Sequence, residues 1–257
     1  MKILLRIQAR YLYMVSKLKK KLSYLPYLES LLNYVESGII PFQCPGHKAG
    51  KAYKKEFRDI LKKNLFKIET NEIPIIDTFQ NPQKSLKLSQ ELMAKAYGVY
   101  KTYYIVGGST ISNHIAIISS VSDNDKVLVP RNSHKSVFSA IMLSGAKPIF
   151  LYPKYNYDFN IDCNVSFDEI KDIVDNQSVS AVVVCHPNYY GLETDVKKIA
   201  NYLDDKGILF IVDQAWGAHL KFNSHLPICS TDTKTHLVIM SPHKTLFAFT
   251  QASVLHL

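Results

Sequence analysis

The cysteines of this sequence are few and far apart. There are four, at Cys44, Cys163, Cys185 and Cys229, and they form no C-x-x-C pair and no metal-ligand spacing with a histidine. This pattern excludes a disulfide-stapled scaffold and the common zinc motifs. We therefore expect reduced thiols in a cytoplasmic compartment, and no metal site.

Long apolar runs are also missing. No stretch approaches the roughly 18 consecutive apolar residues that a transmembrane helix needs, so we expect a soluble protein without a membrane partner. Hydrophobic residues still make up 47% of the 257 positions. That share is enough for a substantial core, and the length suits one large α/β domain, or a domain with extra segments.

Acidic residues are outnumbered, with 22 Asp and Glu against 31 Lys and Arg and a net charge of +9. A basic balance can indicate nucleic acid or an anionic surface as a partner. Here the lysines are spread along the chain among Asn, Ile and Tyr instead of forming one patch. We therefore expect no nucleic-acid partner.

Acidic residues are absent from the N-terminal stretch 1–24, where basic and apolar residues alternate as in an amphipathic helix. One interpretation is an organellar transit peptide, and another is an arm that binds RNA or a membrane surface. Serine is scarce in the stretch, which goes against a transit peptide. We favour a basic N-terminal extension that packs on the domain or on a partner subunit.

From residue 103 onward, short apolar runs alternate with helical patterns. The runs lack polar alternation, which is typical of strands buried on both faces. Such strands, joined by helices, predict an α/β fold with a mostly parallel sheet covered by helices on both faces. The predicted strands are 103–106, 126–129, 148–152, 181–185, 208–212, 237–240 and 251–257, and the predicted helices between them are 111–121, 134–143, 167–174 and 196–206.

Ligands of parallel sheets bind beyond the carboxyl ends of the strands. After the first predicted strand come Gly107, Gly108, Ser109 and Thr110, with a helix close behind. Glycines let the backbone approach an anion, and a helix start and two hydroxyls supply donors. The turn has the form of a phosphate cradle, although many ordinary strand-to-helix turns have the same composition.

Two charged residues follow later strands. Asp213 ends the apolar run 208–212, where a carboxylate is costly without a cationic partner. Lys244 follows the run 237–240, and a lysine in a site that holds another cation and little water can react as a neutral amine with a carbonyl carbon. The plainer interpretations are a helix-capping Asp and a surface Lys in a turn.

The segment Ser-Pro-His-Lys-Thr-Leu at 241–246 resembles the pyridoxal-phosphate attachment segment of the Orn/Lys/Arg decarboxylase family. Four other segments are similar to the family's motifs in the same order along the chain. They are Pro-Phe-x-x-Pro-Gly-His-Lys-x-Gly at 41–50, Asn-x-His-Lys-Ser at 132–136, His-Pro-Asn-Tyr-Tyr-Gly at 186–191, and Asp-Gln-Ala at 213–215.

The resemblance covers roughly residues 25–257. It implies the large domain of a fold-type-I pyridoxal-phosphate enzyme, with the chain ending before the smaller C-terminal domain of longer relatives. Lys244 would attach the cofactor, Asp213 would pair with its ring nitrogen, and His134 would stack on the ring. The implied cofactor-binding residues are Gly108, Ser109, Thr110, His134, Asn188, Asp213, Ala215, His219, Ser241, His243 and Lys244.

The implied reaction is decarboxylation of a basic amino acid in polyamine metabolism, by a homo-oligomer. His134 and Lys244 are both candidates for the group that returns a proton. The sequence departs from the family in the loop with Phe79, Gln80, Asn81 and Lys84, so the choice among arginine, lysine and ornithine stays open. It departs also at Gln214 and, mildly, at Asn188, since Asn can donate the same hydrogen bond. The alternative is a non-catalytic relative that binds pyridoxal phosphate as a regulatory or structural subunit.

Overall fold

The structure is a computed structural model that describes residues 26–40, 42–68 and 76–257. The chain divides into two compact units, with the boundary between Phe42 and Gln43. The first unit contains helix α1 (Pro26–Glu36), which starts at a proline, a residue favoured at the first helical position. The predicted extension at 1–24 and its boundary lie outside the described residues.

A seven-stranded sheet is the framework of the second unit. Its strands are β1 (Thr102–Ile105), β2 (Lys126–Pro130), β3 (Lys147–Leu151), β6 (Ala181–Cys185), β7 (Leu209–Asp213), β8 (Leu237–Met240) and β9 (Ser253–His256), while β4 (Tyr155–Asn156) and β5 (Ile161–Asp162) form a separate hairpin. The order is β1-β9-β8-β7-β6-β2-β3. All neighbours run parallel except β9, which is antiparallel to β1 and β8. The predicted mostly parallel sheet is confirmed.

Helices cover both faces of this sheet, α4 and α5 on one face and α6 and α7 on the other. The described helices of the second unit are α2 (Lys55–Ile68), α3 (Ser85–Tyr97), α4 (Gly108–Ile118), α5 (Lys135–Ser144), α6 (Phe167–Asn176), α7 (Val196–Asp205) and the short α8 (Pro242–Thr245). In the described part of the chain, no helix is long and apolar enough to cross a membrane.

The strands lack polar alternation because both of their faces are buried. Val183 and Ile211 point into a core formed with α4 and α5. Their neighbours Val184 and Val212 point into a second core, formed with α6 and α7. Side chains of successive strand residues alternate between faces, so helices on both sides require an apolar residue at every position.

Helix α4 begins three residues before the predicted start at Ile111. The prediction started the helix at its first apolar residue, but the first turn is polar: Gly108, Ser109 and Thr110 belong to it. The early start matters, because it places these residues where the backbone N–H groups of a helix have no partner within the helix.

The loop before α3 is anchored by one carboxylate. Asp77 accepts backbone N–H bonds of 2.8 to 3.3 Å from Thr78, Gln83, Lys84, Leu86 and Lys87. Desolvation opposes the charged form, but these bonds hold the pKa of Asp77 well below its ordinary range. The segment 79–81, in which the sequence departs from the family, is thus fixed at its base.

Candidate active site

A cleft of about 430 Å³ opens at the edge of the sheet where β2, β6, β7 and β8 end and α4 begins. Its volume lies in the range of small-molecule and cofactor sites. The cleft brings together ten of the predicted site residues: Gly108, Ser109, Thr110, His134, Asn188, Asp213, Ala215, Ser241, His243 and Lys244.

His219 is the predicted site residue that the structure does not bring into the cleft. It stands before the short 3-10 helix Leu220–Phe222. Its Nδ1 is buried without a hydrogen-bond partner among the described residues, and burial lowers the pKa of the imidazole. At His219 the chain has already left the cleft, so the position of this residue in the family motif does not bring its side chain into contact with the site.

The turn that leads into α4 has the geometry of an anion cradle. Gly107 caps the helix without any side-chain hydrogen bond to its first N–H groups, so those donors stay available. A Cβ on Gly107 would lie 2.3 Å from Cγ1 of Ile111, and Gly108 has a φ of 74°. The close contact at one position and the left-handed φ at the next both favour glycine.

A cluster of serine hydroxyls joins this turn to the ends of β8 and β9. Oγ of Ser109 lies 2.6 Å from Oγ of Ser241 and 3.0 Å from Oγ of Ser253. Ser253 also contacts Oγ of Ser112 at 2.7 Å and donates to the carbonyl of Met240 at 3.0 Å. The cluster fixes the two predicted phosphate-binding serines, Ser109 and Ser241, side by side.

Asp213 lies at the end of β7 and is buried. Its Oδ1 accepts the backbone N–H of Ala215 at 3.1 Å, and its Oδ2 accepts Nδ2 of Asn113 at 2.9 Å. Two neutral donors therefore hold the carboxylate in place. Ionised carboxylate oxygens have further acceptor sites, so Asp213 can still receive a bond from a cationic ligand.

Lys244 lies on α8, directly after β8. Its Nζ stands 4.2 Å from the centroid of the Trp216 ring, a cation–π contact across the cleft. The neighbouring His243 donates from Nδ1 to the carbonyl of Ala252 at 2.8 Å. A proton on Nδ1 leaves Nε2 of His243 as the ring nitrogen that can face a ligand.

Gly46, which belongs to the N-terminal motif, packs on the turn that carries Lys244. The N–H of Gly46 donates to the carbonyl of His243 at 2.8 Å. A Cβ on Gly46 would lie 2.3 Å from the carbonyl oxygen of Leu246 and 3.3 Å from that of Lys244. Only a residue without a side chain fits this close approach of two backbones.

His134 caps α5, and it also lines the cleft. Its Nδ1 accepts the backbone N–H of Ser136 at 3.2 Å. Desolvation lowers the pKa of its imidazole, although the side chain is open to the cleft; Lys244 and Lys135 lower it further, and Asp213 opposes them. The predicted stacking role of His134 stays a prediction.

Asn188 lines the cleft, but most of its hydrogen-bonding capacity serves its own loop. Its Oδ1 accepts the N–H groups of Tyr190 at 2.9 Å and Leu192 at 3.0 Å, and its Nδ2 lies 3.4 Å from the carbonyl of Asp162. The side chain therefore shapes the loop after β6. A bond from Asn188 to a cofactor stays a prediction.

Sequence reasoning missed several residues of the cleft. Asn113 and Trp216 contact Asp213 and Lys244 as described above, while Cys185, at the end of β6, is paired with Asp213 across the strands. Burial raises the pKa of the Cys185 thiol, and the charge of Asp213 adds to this effect, which disfavours the nucleophilic thiolate form. Asn113 lies inside a helix pattern, where polar residues ordinarily indicate a solvent-facing side.

The departure at Gln214 has a structural reason. The amide is fully buried: its Nε2 donates to the carbonyl of Gly217 at 2.9 Å and lies 3.1 Å from Sγ of Cys229, and its Oε1 accepts the N–H of Ser230 at 2.9 Å. A neutral amide satisfies these partners without burying a charge.

Within residues 26–40, 42–68 and 76–257, no group of three or more His, Cys, Asp or Glu side chains is placed to hold a metal ion.

A family model described as Orn/Lys/Arg decarboxylase, major domain, matches residues 25–257. The chain is 32% identical to an arginine decarboxylase of Bacillus anthracis over 232 residues, which are 90% of this chain and 47% of the relative. It is 27% identical to an inducible ornithine decarboxylase of Lactobacillus sp. strain 30a, covering 90% of this chain and 35% of that protein.

Among solved structures, lysine decarboxylase A from Pseudomonas aeruginosa superposes with a TM-score of 0.66 at 25% identity, covering 90% of this chain and 34% of that chain. The chain spans about half the length of the arginine decarboxylase that it matches and about a third of the lysine decarboxylase. The likeness thus extends over nearly the whole of this chain and over part of each relative.

Proposed function

The chain belongs to the Orn/Lys/Arg decarboxylase family, and from this premise we propose that it carries the cofactor site of a pyridoxal-phosphate-dependent decarboxylase of basic amino acids. One observation carries the proposal. The buried carboxylate of Asp213 and the amine of Lys244 follow the neighbouring parallel strands β7 and β8, and both line one cleft with the start of α4. A carboxylate, an amine and an anion cradle are the three partners that a phosphorylated pyridine aldehyde requires.

The residues present fit pyridoxal phosphate. The uncapped start of α4, the hydroxyls of Ser109, Thr110 and Ser241, and Nε2 of His243 supply donors for the phosphate. Because Nδ1 of His243 donates to a carbonyl, Nε2 can donate to an anion only when the imidazole is doubly protonated. The imidazole of His243 thus adds to the neutral donors only in its doubly protonated form.

When bound, the cofactor supplies an electron sink for the charge left at the substrate's α carbon as the carboxylate departs. Asp213 would hold a proton on the ring nitrogen, which would make the ring a better acceptor of that charge. Asn113 and the backbone of Ala215 keep the carboxylate from turning away. Lys244 would provide the amine that holds the cofactor.

In the proposed reaction, the bond between the α carbon and the carboxylate breaks, carbon dioxide leaves, and a proton is added at the α carbon. The product is the amine of the same side chain. Relatives are named as arginine, ornithine and lysine decarboxylases, which supports a basic amino acid as the substrate class. The charge of that side chain has to be met by acidic or polar groups, and segment 79–81, one of the places where this sequence differs from the family, does not line the cleft.

The proposal is tested by incubating the purified chain with pyridoxal phosphate and carboxyl-labelled arginine, lysine or ornithine, and by measuring labelled carbon dioxide and the amine product together. We expect equal amounts of both from at least one of the three, and none with Lys244→Ala. Cofactor bound at Lys244 without release from any of the three would instead support a regulatory or structural subunit.

A further inference from the structure

A buried series of hydrogen bonds, called the relay below, connects two residues of the cleft that lie on different elements. It runs from Asp213, at the end of β7, through Asn113 of α4 and Ser136 of α5 to His134. Asn113 and Ser136 are each 1% exposed. Buried polar side chains are costly unless they are paired, so their pairing here constrains which atom carries each proton.

The donor and acceptor roles along the relay are fixed first at Asn113. Its Nδ2 lies 2.9 Å from Oδ2 of Asp213 and 3.0 Å from Oγ of Ser136. An amide nitrogen has two hydrogens and no acceptor site, so it donates to both. The reversed amide would set its oxygen against the carboxylate of Asp213, and the repulsion between the two acceptors excludes that arrangement.

The direction continues through Ser136. Its backbone N–H donates to Nδ1 of His134 at 3.2 Å, so that ring nitrogen is an acceptor. Oγ of Ser136 lies 2.7 Å from the same nitrogen and accepts from Asn113, so its hydroxyl hydrogen is donated to Nδ1 as well. Two donors at one ring nitrogen leave no room for a proton on it. The proton of the neutral imidazole therefore resides on Nε2.

We propose that Asn113 and Ser136 are positioning residues that connect Asp213 to His134 and hold His134 as the neutral tautomer protonated on Nε2. The role rests on the proposed function, because it fixes the two side chains assigned to one face and to the nitrogen of the cofactor ring. It gives His134 a proton to donate at Nε2 and none at Nδ1. His134, one of the two candidates for returning a proton to the α carbon, therefore carries a proton that it can donate.

The test is a nitrogen-15 NMR spectrum of the full chain labelled at its histidines, recorded without cofactor. His134 is assigned by the loss of its signals in His134→Gln. In the wild-type chain we expect Nδ1 at the position of an unprotonated ring nitrogen and Nε2 at that of a ring N–H. A proton on Nδ1 of His134 in the wild-type spectrum overturns the proposal.

Variants distinguish the effect of the Ser136 hydroxyl on His134 from a general change in packing. Ser136→Ala removes the hydroxyl but keeps the backbone N–H, so we expect both His134 signals to move part of the way toward the average of two tautomers. Ser136→Thr, which retains a hydroxyl, keeps the wild-type pattern. Ser139→Ala is the matched control, because Ser139 lies on the same helix and its hydroxyl contacts another histidine, His114, at 2.8 Å. Signals of His134 that are the same in Ser136→Ala as in Ser139→Ala overturn the proposal.

The wild-type spectrum decides the tautomer even where Ser136→Ala does not fold. Because no cofactor is present, the result is also independent of the proposed function. If pyridoxal phosphate fails to bind while His134 is protonated on Nε2, the cofactor assignment is wrong and the relay stands. If the cofactor binds at Lys244 while Nδ1 carries the proton, the relay is wrong and the cofactor assignment stands.

Discussion

Gly46→Ala is expected to weaken cofactor capture from a position outside the cleft. The added methyl carbon would lie 2.3 Å from the carbonyl oxygen of Leu246 and 3.2 Å from its carbonyl carbon. Ordinary contacts between carbon and other heavy atoms lie at about 3.5 to 4 Å, so the two backbones have to separate by about 1 Å. Since the opposing atoms belong to the turn that carries Lys244, the lysine moves with them.

The magnitude follows from overpacking, which costs about 1–3 kcal/mol in well-packed regions. For a chain of this size, each kcal/mol lowers the Tm by about 2–4 °C. The relaxed variant has to restore the strained contact before Lys244 can hold the cofactor in the wild-type arrangement. The same free energy therefore appears as an affinity for pyridoxal phosphate that is roughly 5- to 150-fold weaker.

Gly50→Ala is the matched control in the same loop. Gly50 has a φ of 81°, and no atom lies within 4 Å of the position that a Cβ would take. An alanine there costs about 1–2 kcal/mol of backbone strain but touches nothing near Lys244. Urea and thermal unfolding should show comparable losses for both variants, while cofactor titration separates them. Equal affinities for the cofactor in Gly46→Ala and Gly50→Ala would refute the reasoning.

Two further perturbations have expected outcomes. Asp213→Asn sets a neutral amide against two donors that now bond a carboxylate, and it removes the charge proposed to pair with the ring nitrogen. Hydrogen bonds to a charged group contribute about 1.5–3 kcal/mol, so titration should show an affinity for pyridoxal phosphate weaker by roughly 10-fold or more. Unchanged affinity would remove Asp213 from the site. Burial lowers the pKa of His256 to about 4, whereas the unfolded chain binds that proton near its ordinary pKa of about 6.5. The free energy of unfolding should therefore fall by roughly 3 kcal/mol as the pH drops from about 6.5 to 4. Urea titrations at each pH measure this dependence, and His256→Phe should make the free energy of unfolding vary less with pH. An equal dependence in both proteins would show that His256 is not the group responsible.

The sheet and its covering helices were predictable because burial on both faces leaves a plain signal. Val182, Val183 and Val184 are apolar in succession, as helices on both sides require. The direction of β9 was not predictable, since an apolar run is the same read either way. Its antiparallel course follows from the short connection between α8 and β9, which has no helix to carry the chain back across the sheet.

Within the site, motif resemblance predicted residues that face the cleft and missed residues that hold them. Asn113 follows a serine in a helix and has the composition of a surface position; only the approach of β7 and α5 shows that it pairs with Asp213. His219 fits the motif yet lies outside the cleft, because a motif fixes spacing along the chain and not contact. The expected homo-oligomer and cytoplasmic location stay predictions.

The most direct measurement is the absorption spectrum of the purified chain with added pyridoxal phosphate, before and after borohydride reduction, with Lys244→Ala beside it. Lys135→Ala, which changes another lysine near the cleft, serves as the control. The account predicts a near-visible band that borohydride converts into a label on the peptide containing Lys244, in the wild-type chain and in Lys135→Ala alike. The same label yield in Lys244→Ala, or a label on another lysine of the wild-type chain, would contradict it.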